Sequence, residues 1–424
     1  MINKVEFNGF KYIDGGVCAA QGFKANGIYC GIKKHGIPDG NESPAIENKK
    51  DLGVIVSDVM CNAAAVYTQN KVKGAPIAVT KKNIEDGRAQ AVIVNSANAN
   101  TCNADGVEKA EKMCCLAAKE LGLQPSDLIV ASTGVIGQIL PIEPIEKGMH
   151  ELCSNASYKG NAAAVEAIMT TDTMPKEVAV EFILDGKKCV MGAMLKGSGM
   201  IHPNMATTLS FITTDAAVAP EYLQRALSDT VKTTLNMASV DGDTSTNDMC
   251  CIMANGMSGN KEIKCEDADF ESFKNALYVI MMNLARMMAR DGEGATKLIE
   301  CVCKGANDVK TAQTVAKSVI TSSLFKAAVF GEDANWGRIL CAVGYADAEF
   351  DIEYVDVDLS SAAGKIAVCR NGAGVPFSEE EAKKILEEEE ICVIISIGNG
   401  ECTAIAWGCD LTYDYVKING DYRS

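Results

Sequence analysis

The chain has 424 residues, of which 47% are hydrophobic and 23% are charged, a balance typical of a globular protein too long for a single core. Its formal net charge of −16 argues against nucleic-acid and membrane partners, because phosphate binding requires a clustered basic surface. The eighteen cysteines are scattered without a CxxC pair, so reduced, buried thiols are expected rather than disulfides or a zinc site. With three histidines, His35, His150 and His202, we expect no histidine-rich metal site.

Strand-like and helix-like segments alternate along the chain, which predicts a mixed α/β (α+β) fold of layered sheets covered by helices. Asp185 and Gly186 separate two apolar arms, which indicates a β-hairpin. The pattern restarts near residue 300, and we place a boundary there between a layered domain (1–299) and a C-terminal α/β domain (300–424). The predicted strands cover residues 91–94, 128–131, 210–214, 249–254, 299–303 and 348–357. The predicted helices cover residues 107–121, 221–235, 276–289, 309–318 and a segment capped by Ser378 that carries the acidic run 387–390.

Two segments bear on the location of the protein. The N-terminal sequence MINKVEFNGFKYIDGG lacks a basic stretch followed by an apolar one, so no signal peptide is predicted and we expect a cytoplasmic protein. The most membrane-like segment, residues 276–289, is too short to cross a bilayer and contains Asn283 and Arg286. It predicts a buried core helix in which methionines fill gaps.

The segment Lys196–Phe211, KGSGMIHPNMATTLSF, carries the strongest chemical signal. Its glycines and its proline favour a tightly constrained turn that enters a strand. Taken singly, these residues are typical of an ordinary turn. A small residue followed by threonine in such a turn is also where a hydroxyl can attack the preceding carbonyl and move the acyl group from nitrogen to oxygen. Water can then cleave the ester, so Ala206 and Thr207 form a candidate cleavage site.

This segment resembles the ornithine acetyltransferase family, the arginine-biosynthesis enzymes also called bifunctional glutamate N-acetyltransferases. The similarity extends over essentially the whole chain. It is carried by eight further segments in the family's order, namely DVMCNAAAVYT (58–68), VNSANAN (94–100), STGVIG (132–137), TTDT (170–173), DTSTND (243–248), DGEGATK (291–297), GEDANWGRI (331–339) and the closing INGDYRS (418–424).

The resemblance implies an αββα-type sandwich with a smaller C-terminal domain, cut autocatalytically into an α chain (1–206) and a β chain (207–424) that assemble as α2β2. Thr207 would then be the nucleophile, because a free α-amino group titrates at about 7.7 to 8.0 and can accept its hydroxyl proton. The implied reaction moves the acetyl group of N2-acetyl-L-ornithine to L-glutamate through an acetyl-Thr207 ester, with ping-pong kinetics. The resemblance leaves open whether acetyl-CoA is also a donor.

The remaining roles also come from matching family positions. Thr133 and Gly134 resemble the family's oxyanion hole; without the family, they are equally a strand-to-helix turn. Lys196 suits a substrate carboxylate or the electrostatics around the new amine, and Glu293 suits a substrate amino group. Positions that line the family's substrate site match Thr170, Lys196, Thr207, Glu293, Asn419 and Ser424 here.

The chain departs from the family pattern at four positions. Thr208 stands where methionine is frequent, Ala97 where glycine is common, Gly420 where alanine is common, and Ser424 where threonine is usual. None of these changes removes the nucleophile or the oxyanion pair.

Two other functions remain open from the sequence. An N-terminal-nucleophile amidohydrolase or aminopeptidase of similar fold would hand the acyl group to water instead of a second amine. A silent binding protein would keep the fold and leave the chain uncut.

Overall fold

The computed structural model describes residues 4–32, 49–202 and 208–421. Eleven helices lie in these ranges: Ala75–Asn83 (α1), Gly106–Leu121 (α2), Ile142–Ser154 (α3), Asn161–Ile168 (α4), Pro220–Thr233 (α5), Ala268–Arg290 (α6), Val309–Thr321 (α7), Ser323–Phe330 (α8), Trp336–Gly344 (α9), Glu379–Glu387 (α10) and Tyr413–Asp421 (α11).

The larger sheet contains nine of the described strands: Lys11–Ile13 (β1), Phe23–Ile28 (β2), Leu52–Tyr67 (β3), Arg88–Asn95 (β4), Leu128–Ser132 (β5), Lys176–Leu184 (β6), Lys187–Lys196 (β7), Leu209–Thr214 (β8) and Met249–Ala254 (β9). Their order is β1-β6-β7-β8-β9-β3-β4-β5, and β2 pairs with β3. The long strand β3 joins two parts of this sheet, because its first half pairs with β2 and β4 whereas its second half pairs mainly with β9.

Alternation of side chains along these strands builds the layers. Phe211 and Cys251 from one part of the sheet share a buried cluster with Val92 and Ile129 from the other part. The opposite faces of the same strands pack under helices: α5 and α6 cover β6, β7 and β9, and α1 to α3 cover β2 to β5. The predicted αββα sandwich is therefore confirmed.

The smaller sheet contains Leu298–Ala306 (β10), Asp356–Ser361 (β11), Gly364–Arg370 (β12), Ala373–Gly374 (β13), Glu390–Ser396 (β14) and Cys402–Cys409 (β15), in the order β13-β12-β11-β14-β10-β15. Helix α6 contacts strands of both sheets, so its side chains are buried nearly all round, as predicted for residues 276–289. None of the described helices is long and apolar enough to cross a bilayer. The division into domains at about residue 300 stays a prediction, although the second sheet begins at Leu298.

Turn and capping residues in the sequence correctly predicted where several strands and helices begin or end. The turn between β6 and β7 uses Asp185 and Gly186, both with positive φ (48° and 67°), as a two-residue hairpin requires. Gly122 ends α2 in the left-handed conformation with φ 70°. The Ser378 hydroxyl accepts a hydrogen bond from the Glu381 N–H at 3.2 Å and so caps α10.

Two predictions in the C-terminal part were wrong. Residues 352–354 form a short 3-10 turn, and the strand predicted over residues 348–357 begins only at Asp356. The helix predicted to carry the acidic run 387–390 stops at Glu387, and Glu390 already starts β14. Arg286 of α6 forms an ion pair with Glu390 at 2.7 Å, so the last residue of the run is bound to that helix.

Candidate active site

One cleft collects residues that lie far apart in the sequence. Its lining includes six of the nine predicted site residues, while Ala206, Thr207 and Ser424 lie outside the described residues. The six are Thr133, Gly134, Thr170, Lys196, Glu293 and Asn419.

The loop that carries Thr133 follows β5, next to the loop that follows β4. Because β4 and β5 are parallel, both loops leave the same edge of the sheet. The Thr133 N–H donates to the carbonyl of Asn95 at 3.0 Å. The Asn247 amide donates to the carbonyls of Ala99 at 2.6 Å and Ser132 at 2.9 Å. Asn247 therefore holds both loops from the β9 side.

Gly134 occupies a position that only glycine fits. Its φ is 127°, and a Cβ atom there would lie 2.3 Å from the carbonyl carbon of Ala97. Its N–H has no hydrogen-bond acceptor among the described residues, and the Thr133 hydroxyl lies 3.5 Å from the ammonium of Lys196. Thr133, Gly134 and Lys196 all line the cleft, and a hydroxyl, a backbone N–H and an ammonium group are the kinds of donor that stabilise an oxyanion.

A buried ion cluster lies beneath the cleft. Lys176, fully buried, contacts Asp172 at 2.7 Å and also binds Asp291. The Asp172 carboxylate accepts hydrogen bonds from the N–H groups of Thr170 at 3.0 Å and Gly197 at 2.8 Å. The cluster therefore joins the backbone around Thr170 and Lys196 to the start of the 291–297 loop.

Glu293 is held from two sides. Its N–H donates to the carbonyl of Ser198 at 2.9 Å, and the Asn419 amide donates to its carboxylate at 2.8 Å. A Cβ atom on Gly199 would lie 2.3 Å from that carboxylate, so only glycine allows this close approach. Glu293 is 9% exposed and presents a fixed negative charge suited to an amino group.

Electrostatics in the cleft depart from ordinary values. Burial lowers the pKa of Lys196, against the opposing effects of Asp172, Asp248 and Glu293. Burial raises the pKa of Asp248 well above its usual range, and the nearby Lys196 reduces that rise. For Asp172, burial acts upward, but the charges of Lys176 and Lys196 outweigh it and hold its pKa well below the ordinary value.

Four polar residues of this region were not assigned a role from the sequence: Asp172, Lys176, Asn247 and Asp248. Three of them lie in the segments TTDT and DTSTND, so the signal was present, but only Thr170 was singled out there. Lys176 reads as the first residue of an ordinary strand. Among the described residues, no group of three His, Cys, Asp or Glu side chains is arranged to hold a metal ion.

Comparisons with known proteins agree on one family. The ArgJ family model matches residues 25–424. The arginine biosynthesis bifunctional protein ArgJ 1 of Clostridium acetobutylicum is 51% identical over 403 residues, covering 95% of this chain and 96% of that protein. The arginine biosynthesis bifunctional protein ArgJ of Caldanaerobacter subterraneus is 47% identical over 413 residues, covering 97% of this chain and 99% of that protein.

Solved structures include two that are similar to parts of the chain. A crystal structure of the arginine biosynthesis bifunctional protein ArgJ from Bacillus halodurans shares 45% identity, with a TM-score of 0.48, and covers 50% of this chain and 98% of that one. An ornithine acetyltransferase from Mycobacterium tuberculosis, complexed with ornithine, shares 32% identity, with a TM-score of 0.41, and covers 46% of this chain and 100% of that one.

Proposed function

This chain belongs to the ArgJ family, and from that premise we propose that it is a glutamate N-acetyltransferase of arginine biosynthesis. It transfers the acetyl group of N2-acetyl-L-ornithine to L-glutamate and releases L-ornithine and N-acetyl-L-glutamate. The observation that carries the proposal is the cleft, in which Thr133, Gly134 and Lys196 meet Glu293 and Asn419. The first three lie before residue 207 and the last two after it.

The proposed maturation creates the catalytic base. The Thr207 hydroxyl attacks the carbonyl carbon of Ala206, an ester C–O bond replaces the peptide C–N bond, and the released nitrogen takes the hydroxyl proton. Water then hydrolyses the ester, which leaves a carboxylate on Ala206 and a free amine on Thr207. This amine can accept a proton near neutral pH.

The proposed transfer uses the same hydroxyl twice. Thr207 Oγ attacks the acetyl carbonyl of N2-acetyl-L-ornithine while its proton passes to the α-amine. The Thr133 hydroxyl and the Gly134 N–H stabilise the oxyanion, a role supported by the position of both residues in the cleft lining. The C–N bond breaks, the leaving amine takes the proton, and the acetyl ester then reacts with the amine of glutamate in the reverse sequence.

Charges in the cleft support an amino-acid substrate. Lys196 supplies a cation for a carboxylate, and Glu293, held by Asn419 at 2.8 Å, supplies an anion for an amino group. Thr170, whose backbone is held by Asp172 at 3.0 Å, lines the same cleft. Ser424 completes the proposed set on the basis of its family position alone.

The deciding experiment measures acetyl-enzyme formation. Cut enzyme incubated with N2-acetyl-L-ornithine and no glutamate should gain one acetyl group on the β chain, read by intact mass. Added glutamate should remove it as N-acetyl-L-glutamate. Acetate released at the same rate with and without glutamate would contradict the transferase and indicate the hydrolase.

Three finer points belong to the same proposal. The relatives are named bifunctional, and we extend this to a second reaction in which acetyl-CoA donates the acetyl group to glutamate. The chains 1–206 and 207–424 stay together, since residues from both line the cleft. Two such pairs assemble as α2β2, and the enzyme acts in the cytoplasm. The reaction uses no cofactor, because the nucleophile, the base and the oxyanion donors all come from the chain.

A further inference from the structure

Two neighbouring polar side chains in the cleft each keep one oxygen atom that is not hydrogen-bonded within the described residues. Asp248 is 2% exposed and Thr208 is 4% exposed, and both line the cleft. Neither the Oδ2 atom of Asp248 nor the Oγ1 atom of Thr208 has a hydrogen-bond partner among the described residues. A buried polar atom without a partner costs free energy, so this pair indicates a ligand atom that is absent from the structure.

Sheet geometry places the two groups side by side. Strands β8 and β9 are parallel, with Leu209 opposite Met249, and the Met249 N–H donates to the Thr208 carbonyl at 2.8 Å. Thr208 and Asp248 each precede those paired residues. Neighbouring strands lie about 4.8 Å apart, so a group that reaches Thr208 also reaches Asp248.

The charge around Asp248 selects the chemistry of the missing group. Lys196 is the cation that acts on Asp248, with Ser245 and Thr68 as its hydrogen-bonding neighbours, yet the pKa of Asp248 stays well above its usual range. Burial therefore outweighs the opposing effect of this one nearby cation on the pKa of Asp248. An amino group supplies both an N–H donor for the unpartnered oxygen and a second positive charge.

We propose that Asp248 is a further residue of this active site, whose unpartnered oxygen accepts a hydrogen bond from an amino group beside Thr208. This inference rests on the proposed function, which brings two amino groups to the cleft. One is the α-amine that cleavage creates on residue 207, which directly precedes Thr208 in the sequence. The other is an amino group of the substrate. Both sources supply the same group, an amine that can donate a hydrogen bond to Asp248.

The two sources predict different kinetics for Asp248→Asn. If the chain's own amine is bound, its pKa loses a stabilising anion and falls, so the acidic limb of kcat/KM moves to lower pH by about one unit, and kcat falls while KM stays within twofold. If the substrate amine is bound, KM for N2-acetyl-L-ornithine rises about tenfold or more, and the limb does not move. Either result supports the assignment.

A matched control is Asp215→Asn. Asp215 is also buried, and burial raises its pKa, but it lies just beyond the other end of β8 and its oxygens accept hydrogen bonds from the Val190 and Gln21 N–H groups at 2.7 and 3.2 Å. Its folded, cut form should keep the wild-type pH profile and KM. Asp248→Glu, which retains a carboxylate, should recover part of the lost activity.

Other outcomes would overturn the assignment. The first is an Asp248→Asn enzyme whose kcat, KM and acidic limb equal those of the wild type. The second is a change in these quantities that Asp215→Asn produces equally. The third is an Asp248→Asn chain that folds but is never cut. In the last case the carboxyl acts before the amine exists. Asp248→Ser gives the same comparison if the Asn variant does not fold. A wild-type chain that is neither cut nor acetylated contradicts the proposed function as well. A wild-type chain that is cut and acetylated, together with an Asp248→Asn enzyme of unchanged kinetics, contradicts this inference alone.

Discussion

Replacing Lys176 by methionine tests the buried ion cluster beneath the cleft. Methionine keeps an unbranched side chain of similar length but removes the charge that lies 2.7 Å from Asp172 and also binds Asp291. Removing one partner of a buried ion pair typically costs about 3 to 5 kcal/mol, because the other charge stays buried without compensation. We expect a loss of that size at pH 7, which corresponds to a fall in Tm of about 3 to 6 °C for a chain of this length.

The pH dependence of this loss has a definite sign. In the wild type the pKa of Asp172 is held below its ordinary value chiefly by Lys176, against burial, so its carboxylate stabilises the fold above about pH 4 and this contribution is lost as pH falls through the folded pKa. In Lys176→Met the buried carboxylates lack that cation, and protonation relieves them. The difference between the two proteins should therefore be largest near neutral pH and shrink towards pH 4.

Urea unfolding at several pH values measures this difference, with Thr207→Ala added to both proteins so that each remains a single chain. Lys188→Met is the control, because Lys188 lies on the neighbouring strand β7 and forms an exposed ion pair with Glu181 at 3.0 Å. Such pairs contribute little, and no measurable change is expected. A loss below about 1 kcal/mol for Lys176→Met, or one that does not change between pH 7 and 4, would refute the reasoning from burial.

Three further outcomes test the site. Thr207→Ala should stay at 45.0 kDa on a denaturing gel whereas the wild type gives two fragments, the second beginning TTLSF; two fragments from the alanine variant would exclude Thr207 as the cutting residue. Thr133→Val should slow acetylation by roughly a hundredfold or more with an unchanged Kd for ornithine, and an unchanged rate would remove Thr133 from the oxyanion hole. Gly134→Ala, whose Cβ would lie 2.3 Å from the Ala97 carbonyl carbon, should lose most activity while keeping its circular dichroism spectrum, and near-normal activity would show that the loop gives way.

Local patterns in the sequence were sufficient for much of the fold. The hairpin at Asp185–Gly186 and the end of α2 at Gly122 follow from residues that tolerate positive φ. The strand predicted over residues 348–357 was wrong in its first part, although apolar and polar residues alternate there as in a strand. The side chain of Asp351 accepts a hydrogen bond from the Glu353 N–H at 3.0 Å and starts a 3-10 turn. Such a side-chain to backbone bond competes with a strand and leaves the alternation unchanged.

The site was predictable only as far as the resemblance named positions. Thr133, Gly134 and Lys196 were named in this way, and the structure places all three in the lining of one cleft. Lys176 could not be found from the sequence, because a lysine at a strand start is ordinarily solvated and only the fold shows it buried against Asp172 and Asp291. Asp248 could be quoted within a motif, but its missing hydrogen-bond partner is visible only in three dimensions.

The position of the proposed cut within the larger sheet has a consequence for how long the enzyme stays folded and active. Strand β7 ends at Lys196 and β8 begins at Leu209, so the bond between residues 206 and 207 lies in the connection between two hydrogen-bonded strands of one sheet. Before cleavage, refolding is a first-order process within one chain. After cleavage, the fragments must find each other by diffusion, so recovery from denaturation becomes second order and depends on concentration. The working lifetime of the mature enzyme is then governed by the rate at which it opens, and no longer by an equilibrium that a single chain can restore.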